Sequence, residues 1–261
     1  MPRRLGQHFL RPASVERLLR AIAPAADDVF LEIGPGRGAL TLPLAASCCR
    51  VVAVEIDPAL AAALRERSPA NVEIVQGDAL TVDLATLVPA GARLVGNLPY
   101  YVSSPLLRRF LDLHHRLRDL HVMLQEEVAR RVASPPGSKE YGILSVLYAL
   151  WADLDIPARF TPGAFSPPPK VHSALLRARF LPRPRAEADL RELEVLLQKA
   201  FRRRRRTLEN NLEDGYPHLK EYFRFLNVEG SRRAETLSVV EFAAVLRVLQ
   251  QGTRGRRFDT R

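Results

Sequence analysis

The sequence predicts an α/β protein, a doubly wound and mostly parallel sheet followed by a small helical domain. Three observations carry that reading. Short β-type runs alternate with helical runs between Val29 and Gln125, and such alternation builds a parallel sheet with helices on both faces. A glycine-rich turn, Gly34-Pro35-Gly36-Arg37-Gly38, follows the first of those runs, and the loop Gly96-Asn97-Leu98-Pro99-Tyr100 follows the fourth. Beyond the linker Pro182-Arg183-Pro184-Arg185 every pattern is helical. Domains 1–182 and 183–261 follow.

In chain order, Val15, Leu18, Leu19 and Ile22 recur at helical spacing and open the chain with an amphipathic helix. Strands are expected over Val29 to Ile33, Val51 to Glu55, Val72 to Gln76, Arg93 to Gly96 and His121 to Gln125, with helices such as Pro58 to Arg67 and Pro105 to Leu113 between them. Ser104 reads as the cap of the latter helix, with Pro105 in its first turn. Helices Glu126 to Ala133 and Tyr141 to Ala152 are split by Ser134-Pro135-Pro136-Gly137-Ser138, a predicted surface loop near the active end. Leu154 to Phe160 and Ser173 to Leu181 read as a closing pair of strands. Helices from Glu187 to about Phe201, from about Thr207 to Leu212 and from Ser238 to Gln251 complete the chain. Ser238 and Glu241 form a capping box, and Gly252 is expected to close the last helix. No internal repeat is visible.

Composition narrows the function classes. No apolar run approaches the ~18 residues of a membrane span, and Met1-Pro2-Arg3-Arg4 begins no apolar signal segment. The only cysteines, Cys48 and Cys49, are adjacent, so neither a disulfide frame nor a metal site follows, and a reducing cytoplasmic compartment fits. The net charge of +10 is unevenly placed: +4 up to Ala26, zero from Asp27 to Pro182, and +6 from Arg183 onward. Two basic flanks around a neutral middle suit a polyanion gripped on both sides of a neutral site. A GC-rich genome would explain abundant Arg but not this regional balance.

The Asn97 loop lies at the carboxyl end of a predicted strand, where open α/β sheets place their chemistry. Asn97 offers an amide oxygen as acceptor, Leu98-Pro99 stiffens the backbone, and Tyr100 offers a face on which a base stacks. Together they suit the grip of an exocyclic amino group on a planar heterocycle. Asn-x-Pro also marks ordinary turns, so the motif needs context.

That context is an ordered series: Leu5-Gly6-Gln7-His8-Phe9-Leu10, Leu31-Glu32-Ile33-Gly34-Pro35-Gly36-Arg37-Gly38, Val54-Glu55-Ile56-Asp57, Gly77-Asp78-Ala79, Asn97-Leu98-Pro99-Tyr100 and Phe165-Ser166-Pro167-Pro168-Pro169-Lys170-Val171. From Gly6 to beyond Arg206 the chain resembles the adenine-N6 methyltransferases of ribosomal RNA, most closely the small-subunit dimethyladenosine transferases. The resemblance implies a class I methyltransferase fold and S-adenosylmethionine as cofactor. It further implies dimethylation of two adjacent adenosines in a 3′-terminal hairpin of 16S rRNA and a role in small-subunit biogenesis. The expected partner is the small ribosomal subunit precursor, met by a cytoplasmic monomer.

The glycine turn alone does not decide the cofactor. Gly34, Gly36 and Ala39 also satisfy the dinucleotide fingerprint, with Glu55 about twenty residues on as a ribose-binding acid. Asp78 and Asn97 at the next strand ends favour S-adenosylmethionine, since a dehydrogenase has no use for the Asn97 motif. By resemblance His8 and Leu10 line the methionine end, Gly34 packs on the cofactor, Glu55 binds ribose, Asp78 binds adenine and Asn97 borders the substrate, with Gln7 as its supporting neighbour. The Asn97 side chain and Leu98 carbonyl accept from the adenine amine, Pro99 holds the loop stiff, Tyr100 stacks on the base, and Phe165 is the candidate for its opposite face, core packing being the alternative for that ring.

Arg202, Arg203, Arg204, Arg205 and Arg206 are the densest charge in the chain. As a helix they would repel one another, and Leu196, Phe201 and Leu208 at helical spacing argue against a tail. A structured RNA contact is expected, extended by Lys170, Arg3, Arg4 and Arg11. His8, Tyr101 and His172 depart from the commonest family pattern, the last two at the border of the target pocket. The rivals are the large-subunit adenine methylase of macrolide resistance, a binding factor descended from the same fold, and, remotely, a dehydrogenase.

Overall fold

Strand formation follows the apolar runs. In the computed structural model, which describes residues 8–213, 223, 226 and 228–255, β1 is Phe9–Leu10, β2 Val29–Ile33, β3 Arg50–Glu55, β4 Val72–Gln76, β5 Ala92–Asn97, β6 Leu117–Gln125, β7 Ala152–Phe160, β8 Phe165–Ser166 and β9 Ser173–Phe180. Seven of them form one sheet in the order β4-β3-β2-β5-β6-β9-β7. Its first five strands run parallel, and β9 runs antiparallel to β6. This is the doubly wound sheet of a class I methyltransferase. The strand order reverses between β2 and β5, and the crevice at the carboxyl ends of those two strands is where such sheets bind ligands.

The helices are α1 Pro12–Ile22, α2 Thr41–Ala45, α3 Pro58–Arg65, α4 Leu84–Leu87, α5 Ser103–Leu111, α6 Glu126–Val132, α7 Ile143–Trp151, α8 Leu190–Ala200, α9 Leu208–Leu212 and α10 Val239–Gly255. Val15, Leu18 and Ile22 of α1 are buried as their spacing demands. They join Phe30, Val51, Ala53, Val95 and Phe165 in a core cluster. Asp57 caps α3, its Oδ1 accepting from the N–H groups of Ala59 and Leu60 at 2.9 and 3.2 Å, with Pro58 in the first turn.

Several expectations change. Helix α5 begins at Ser103, not after a Ser104 cap. A short 3-10 turn, Tyr100–Val102, leads directly into it, and Ser103 Oγ donates to the Tyr100 carbonyl at 3.0 Å. The capping box holds, with Ser238 N–H donating to Glu241 Oε2 at 2.7 Å and Glu241 N–H to Ser238 Oγ at 3.3 Å. Gly252 does not end α10, which continues to Gly255. Residues 202–206 form turns between α8 and α9 instead of helix, which relieves the repulsion of five successive guanidiniums.

The chain divides into two compact units. One contains the chain up to Ala133 and Asp153–Pro182, the other Ser134–Ala152 and Arg183 onward. Segment 134–152, expected from the sequence in the first domain, packs within the second unit with Arg183 onward. The cause is apolar packing: α7 buries Val146, Leu147, Tyr148 and Leu150 and packs on α8 and α10. Within this unit the Phe201 ring lies between those of Tyr141 and Phe242, at centroid separations of 6.2 and 5.9 Å. Gly137 N–H donates to the Glu235 carbonyl at 2.7 Å, which fastens the Pro/Gly loop to the same unit. No described helix is long and apolar enough to cross a membrane.

Candidate active site

The crevice at the β2/β5 switch point is one cavity in the first unit, and His8, Leu10, Gly34, Glu55, Asp78, Asn97, Leu98, Pro99 and Tyr100 all line it. Each arrives by a separate structural device. Gly34 leaves β2 with φ +70°, a left-handed conformation that favours glycine. Gly96 lets β5 approach β2, because a Cβ there would lie 2.7 Å from the Ile33 carbonyl oxygen. Gln7 and Gly6 lie outside the described residues, as do Arg3 and Arg4.

Glu55 ends β3, is only 3% exposed, and is held on both oxygens. Gly36 N–H donates to Oε2 at 2.9 Å and Asp57 N–H to Oε1 at 3.0 Å. Each oxygen keeps a further lone pair, so the carboxylate is rigid and still able to accept from a diol. Asp78 follows β4 and accepts Leu80 N–H on Oδ1 at 2.8 Å. Arg109 of α5 holds that loop by donating to the carbonyls of Leu80, at 2.7 Å, and Val82. The acid at β4 is thereby tied to the helix that grows from the Asn97 loop.

Asn97 ends β5. Its Nδ2 donates to the His8 carbonyl at 2.8 Å, which fixes the amide and leaves Oδ1 as an acceptor. The Leu98 side chain is buried, and its N–H donates to Met123 O at 3.2 Å. Pro99 O accepts from Val102 N–H at 3.2 Å, closing the turn that carries Tyr100. The Tyr100 hydroxyl is paired with Ser173 Oγ at 2.7 Å, and its ring stacks on His8 at 5.9 Å. Burial raises its pKa, with the Ser173 hydrogen bond working in the opposite direction.

Phe165 does not line the cavity. Its side chain is fully buried in the core cluster, and it is paired in register with Leu10 through the two-stranded β1–β8 sheet. The proline-rich segment acts differently from expectation. It clamps the N-terminal segment, with Arg11 N–H donating to Ala164 O at 2.9 Å and the His8 ring bonded to Pro167 O at 2.8 Å. An aromatic face at the cavity comes instead from Tyr101, 59% exposed and among the lining residues.

Sequence reasoning missed Glu32. It lines the same cavity from β2, is 2% exposed, and its Oε2 has no hydrogen-bond partner. Burial, with the charge of Glu55 added and the Thr41 hydroxyl opposing, pushes its carboxyl up to about 7. The available signal was an acid inside the otherwise apolar run Val29-Phe30-Leu31-Glu32-Ile33.

In the second unit Arg202 to Arg206 are all exposed. Arg204 is committed internally, donating to the carbonyls of Lys139 and Tyr141 at 2.6 and 3.2 Å and to Glu235 at 3.1 Å. The side chains of Arg203, Arg205 and Arg206 make no such contacts among the described residues. Lys170 is exposed in the first unit.

Residues 2–251 match the family described as ribosomal RNA adenine dimethylase. The chain is 41% identical over 249 residues to a protein of Xylella fastidiosa (strain 9a5c) named ribosomal RNA small subunit methyltransferase A, covering 92% of each. Its fold is similar to that of a dimethyladenosine transferase from Plasmodium falciparum, with TM-score 0.77, 23% identity, and coverage of 95% of this chain and 98% of the other. It is also similar to the 23S rRNA methyltransferase ErmE, with TM-score 0.71, 26% identity, and coverage of 93% and 100%.

Proposed function

The chain belongs to the ribosomal RNA adenine dimethylase family, and from that membership we propose that it dimethylates N6 of two adjacent adenosines in the 3′-terminal hairpin of 16S rRNA. The methyl donor is S-adenosylmethionine, and the reaction belongs to small-subunit biogenesis, carried out by a cytoplasmic monomer on a subunit precursor. The observation that carries this reading is the fixed Asn97 amide. With Nδ2 bound to His8 O, Oδ1 is the atom left to accept from an amine. The same cavity holds two strand-end acids, Glu55 and Asp78.

The cofactor fits this chain's residues. The Gly34 turn admits close approach, Glu55 keeps lone pairs for ribose hydroxyls, Asp78 Oδ2 is available to an adenine amine, and His8 and Leu10 close the methionine end. When bound, S-adenosylmethionine supplies a methyl group already activated by its sulfonium charge. The protein's task is then alignment for in-line displacement. The target amine is weakly nucleophilic because its lone pair is delocalised into the ring. Acceptance of its two N–H groups by Asn97 Oδ1 and the Leu98 carbonyl pyramidalises nitrogen and frees the pair. Such preorganised acceptors also favour the positive charge that grows on nitrogen. Once nitrogen has four bonds its proton is acidic and leaves to water. Tyr100 stacks on the base, a contact worth about 1–3 kcal/mol in single-strand systems, and Tyr101 offers a further ring at the rim. The base must leave its stack to enter, so unpaired adenosines are the substrates. Arg203, Arg205, Arg206 and Lys170 supply phosphate contacts, with Arg202 expected beside them and Arg204 serving the fold.

The fold shared with ErmE keeps a large-subunit target as a second reading. The test incubates the protein and methyl-labelled S-adenosylmethionine with small subunits lacking the modification, beside large-subunit RNA, with Asn97→Ala as control. Dimethyladenosine on the small subunit, absent with Asn97→Ala, is the expected result. Label on large-subunit RNA would promote the second reading. Tight binding without label on either would indicate a binding factor.

A further inference from the structure

Two carboxyl groups line the cofactor cavity from neighbouring strands, and their surroundings differ. Glu55 is satisfied by two backbone N–H donors. Glu32 is equally buried but has an unpartnered Oε2 and no ion pair among the described residues. The Thr41 hydroxyl on α2 lies beside it and weakly opposes burial, but is itself buried and makes no hydrogen bond of full geometry. A buried carboxylate with no cation and only one weak neutral donor is held in its ionised form poorly. Nothing in the mechanism above uses this group. The other titratable side chains on the cavity are His8, Glu55, Asp78, Tyr100 and Tyr101.

The donor and its product differ by one charge. S-adenosylmethionine carries a sulfonium that S-adenosylhomocysteine lacks, while their ammonium, carboxylate, ribose and adenine are the same. A proton resting on a buried acid responds to that single charge, because a cation nearby favours the ionised carboxyl.

We propose that Glu32 is a charge sensor for the methyl donor, a role that rests on the cofactor reading above. It holds a proton in the empty cavity, releases it to solvent as the sulfonium enters, and regains one from solvent after the sulfur has lost its charge. Proton release accompanies donor binding and is smaller for product. The proton lost by the methylated amine is a separate one and leaves with the reaction. With the free carboxyl titrating at about 7, donor affinity strengthens as pH rises, by up to about tenfold per pH unit below that value, and flattens above it. Product affinity changes less, so the preference for donor over product widens from pH 6 to pH 8.

The experiment is isothermal titration of the whole protein with S-adenosylmethionine and with S-adenosylhomocysteine at pH 7, in buffers of different ionisation enthalpy. About half a proton should be released with the donor, as expected for a group near its midpoint, and less with the product. Glu32→Gln should remove that difference, and His8→Asn, which removes the cavity's imidazole, should retain it. The wild-type comparison needs no variant to fold. Binding of both ligands with equal proton counts would overturn the proposal alone. Binding of neither would overturn the cofactor reading and the proposal with it.

Discussion

Asn97 Nδ2 donates to the backbone carbonyl of His8 at 2.8 Å, joining the end of β5 to a segment 89 residues earlier in the chain. The bond sets which end of the amide faces the cavity. It depends on β1, which β8 holds in place through the Phe9↔Ser166 and Leu10↔Phe165 register. The proline-rich segment therefore bears on the cavity at one remove: it positions His8, and His8 orients Asn97.

Replacing Asn97 separates binding from alignment. Asn97→Ala removes the acceptor, and Asn97→Asp removes the N–H that fixes it while setting a carboxylate oxygen against the His8 carbonyl. Both should lower single-turnover methyl transfer by about 10²–10³-fold, the size seen when one preorganised hydrogen-bonding group is lost. Retained transfer in Asn97→Asp would mean that the His8 contact does not set the amide.

Phe165 should behave as a core residue. Phe165→Ala is expected to cost about 3–5 kcal/mol of stability in urea unfolding. Phe165→Leu should be milder and keep its turnover at a temperature where it is folded. Tyr100→Ala should show the reverse, with weaker RNA turnover and a smaller loss of stability. If Phe165→Leu cuts turnover as deeply as Tyr100→Ala, the ring reaches the base after all.

These contrasts mark what the sequence made legible. The placement of Glu55, Asp78 and Asn97 on one cavity was readable because each lies at or just past a strand end, and strand ends at a switch point converge whatever the loops do. Phe165 was not, since its environment is set by pairing with Leu10, a contact across 155 residues that no local pattern carries. The Pro/Gly break at 134–138 was visible, but which unit claims α7 depends on the apolar faces of α8 and α10. Glu32 was hidden by its own strand, where period-two reading counts one acid as a solvent-facing position. Five identical arginines gave no hint that Arg204 is spent on Lys139, Tyr141 and Glu235.

That division among the arginines has a salt signature. Arg205→Ala and Arg206→Ala should each reduce the slope of log K against log salt for RNA binding by about 0.7–0.9, the loss of one phosphate contact. Arg204→Ala should leave the slope unchanged and instead lower the stability of the second unit by about 1–2 kcal/mol, for two carbonyl hydrogen bonds and one exposed ion pair. A reduced slope in Arg204→Ala would assign that residue to the RNA as well.

At the far end of β5, Arg93 is buried among backbone carbonyls and acids. Its Nε donates to Asp119 at 2.9 Å, Nη1 to Asp28 at 2.7 Å and to Ala23 O at 3.1 Å, and Nη2 to Ile22 O at 2.7 Å. Burial works to raise both carboxyls. It is outweighed at Asp28 by hydrogen bonds from Ala25 and Arg93, and at Asp119 by the His121 ring, whose Nδ1 lies 3.4 Å away, and by the Arg93 hydrogen bonds, so both lie below the usual range. A depressed folded pKa contributes stability that is present above the unfolded value of about 4 and is lost as pH falls through the folded one. The native protein should therefore hold this contribution from neutral pH down to about pH 4 and lose it below. Arg93→Met takes from Asp119 its closest cation and leaves only the His121 ring at 3.4 Å and Arg118 at 3.8 Å to oppose burial, while Arg118 still reaches Asp28 at 2.6 Å. It should cost about 3–5 kcal/mol at pH 7, as for a buried pair broken on one side. The sign of the pH dependence should also invert, because a carboxyl raised in the folded state favours folding only while protonated. Urea midpoints between pH 5 and pH 7 should fall with rising pH in Arg93→Met and recover when Asp119→Asn is added. Midpoints that stay level in the single variant would show that His121 and Arg118 suffice to keep Asp119 ionised.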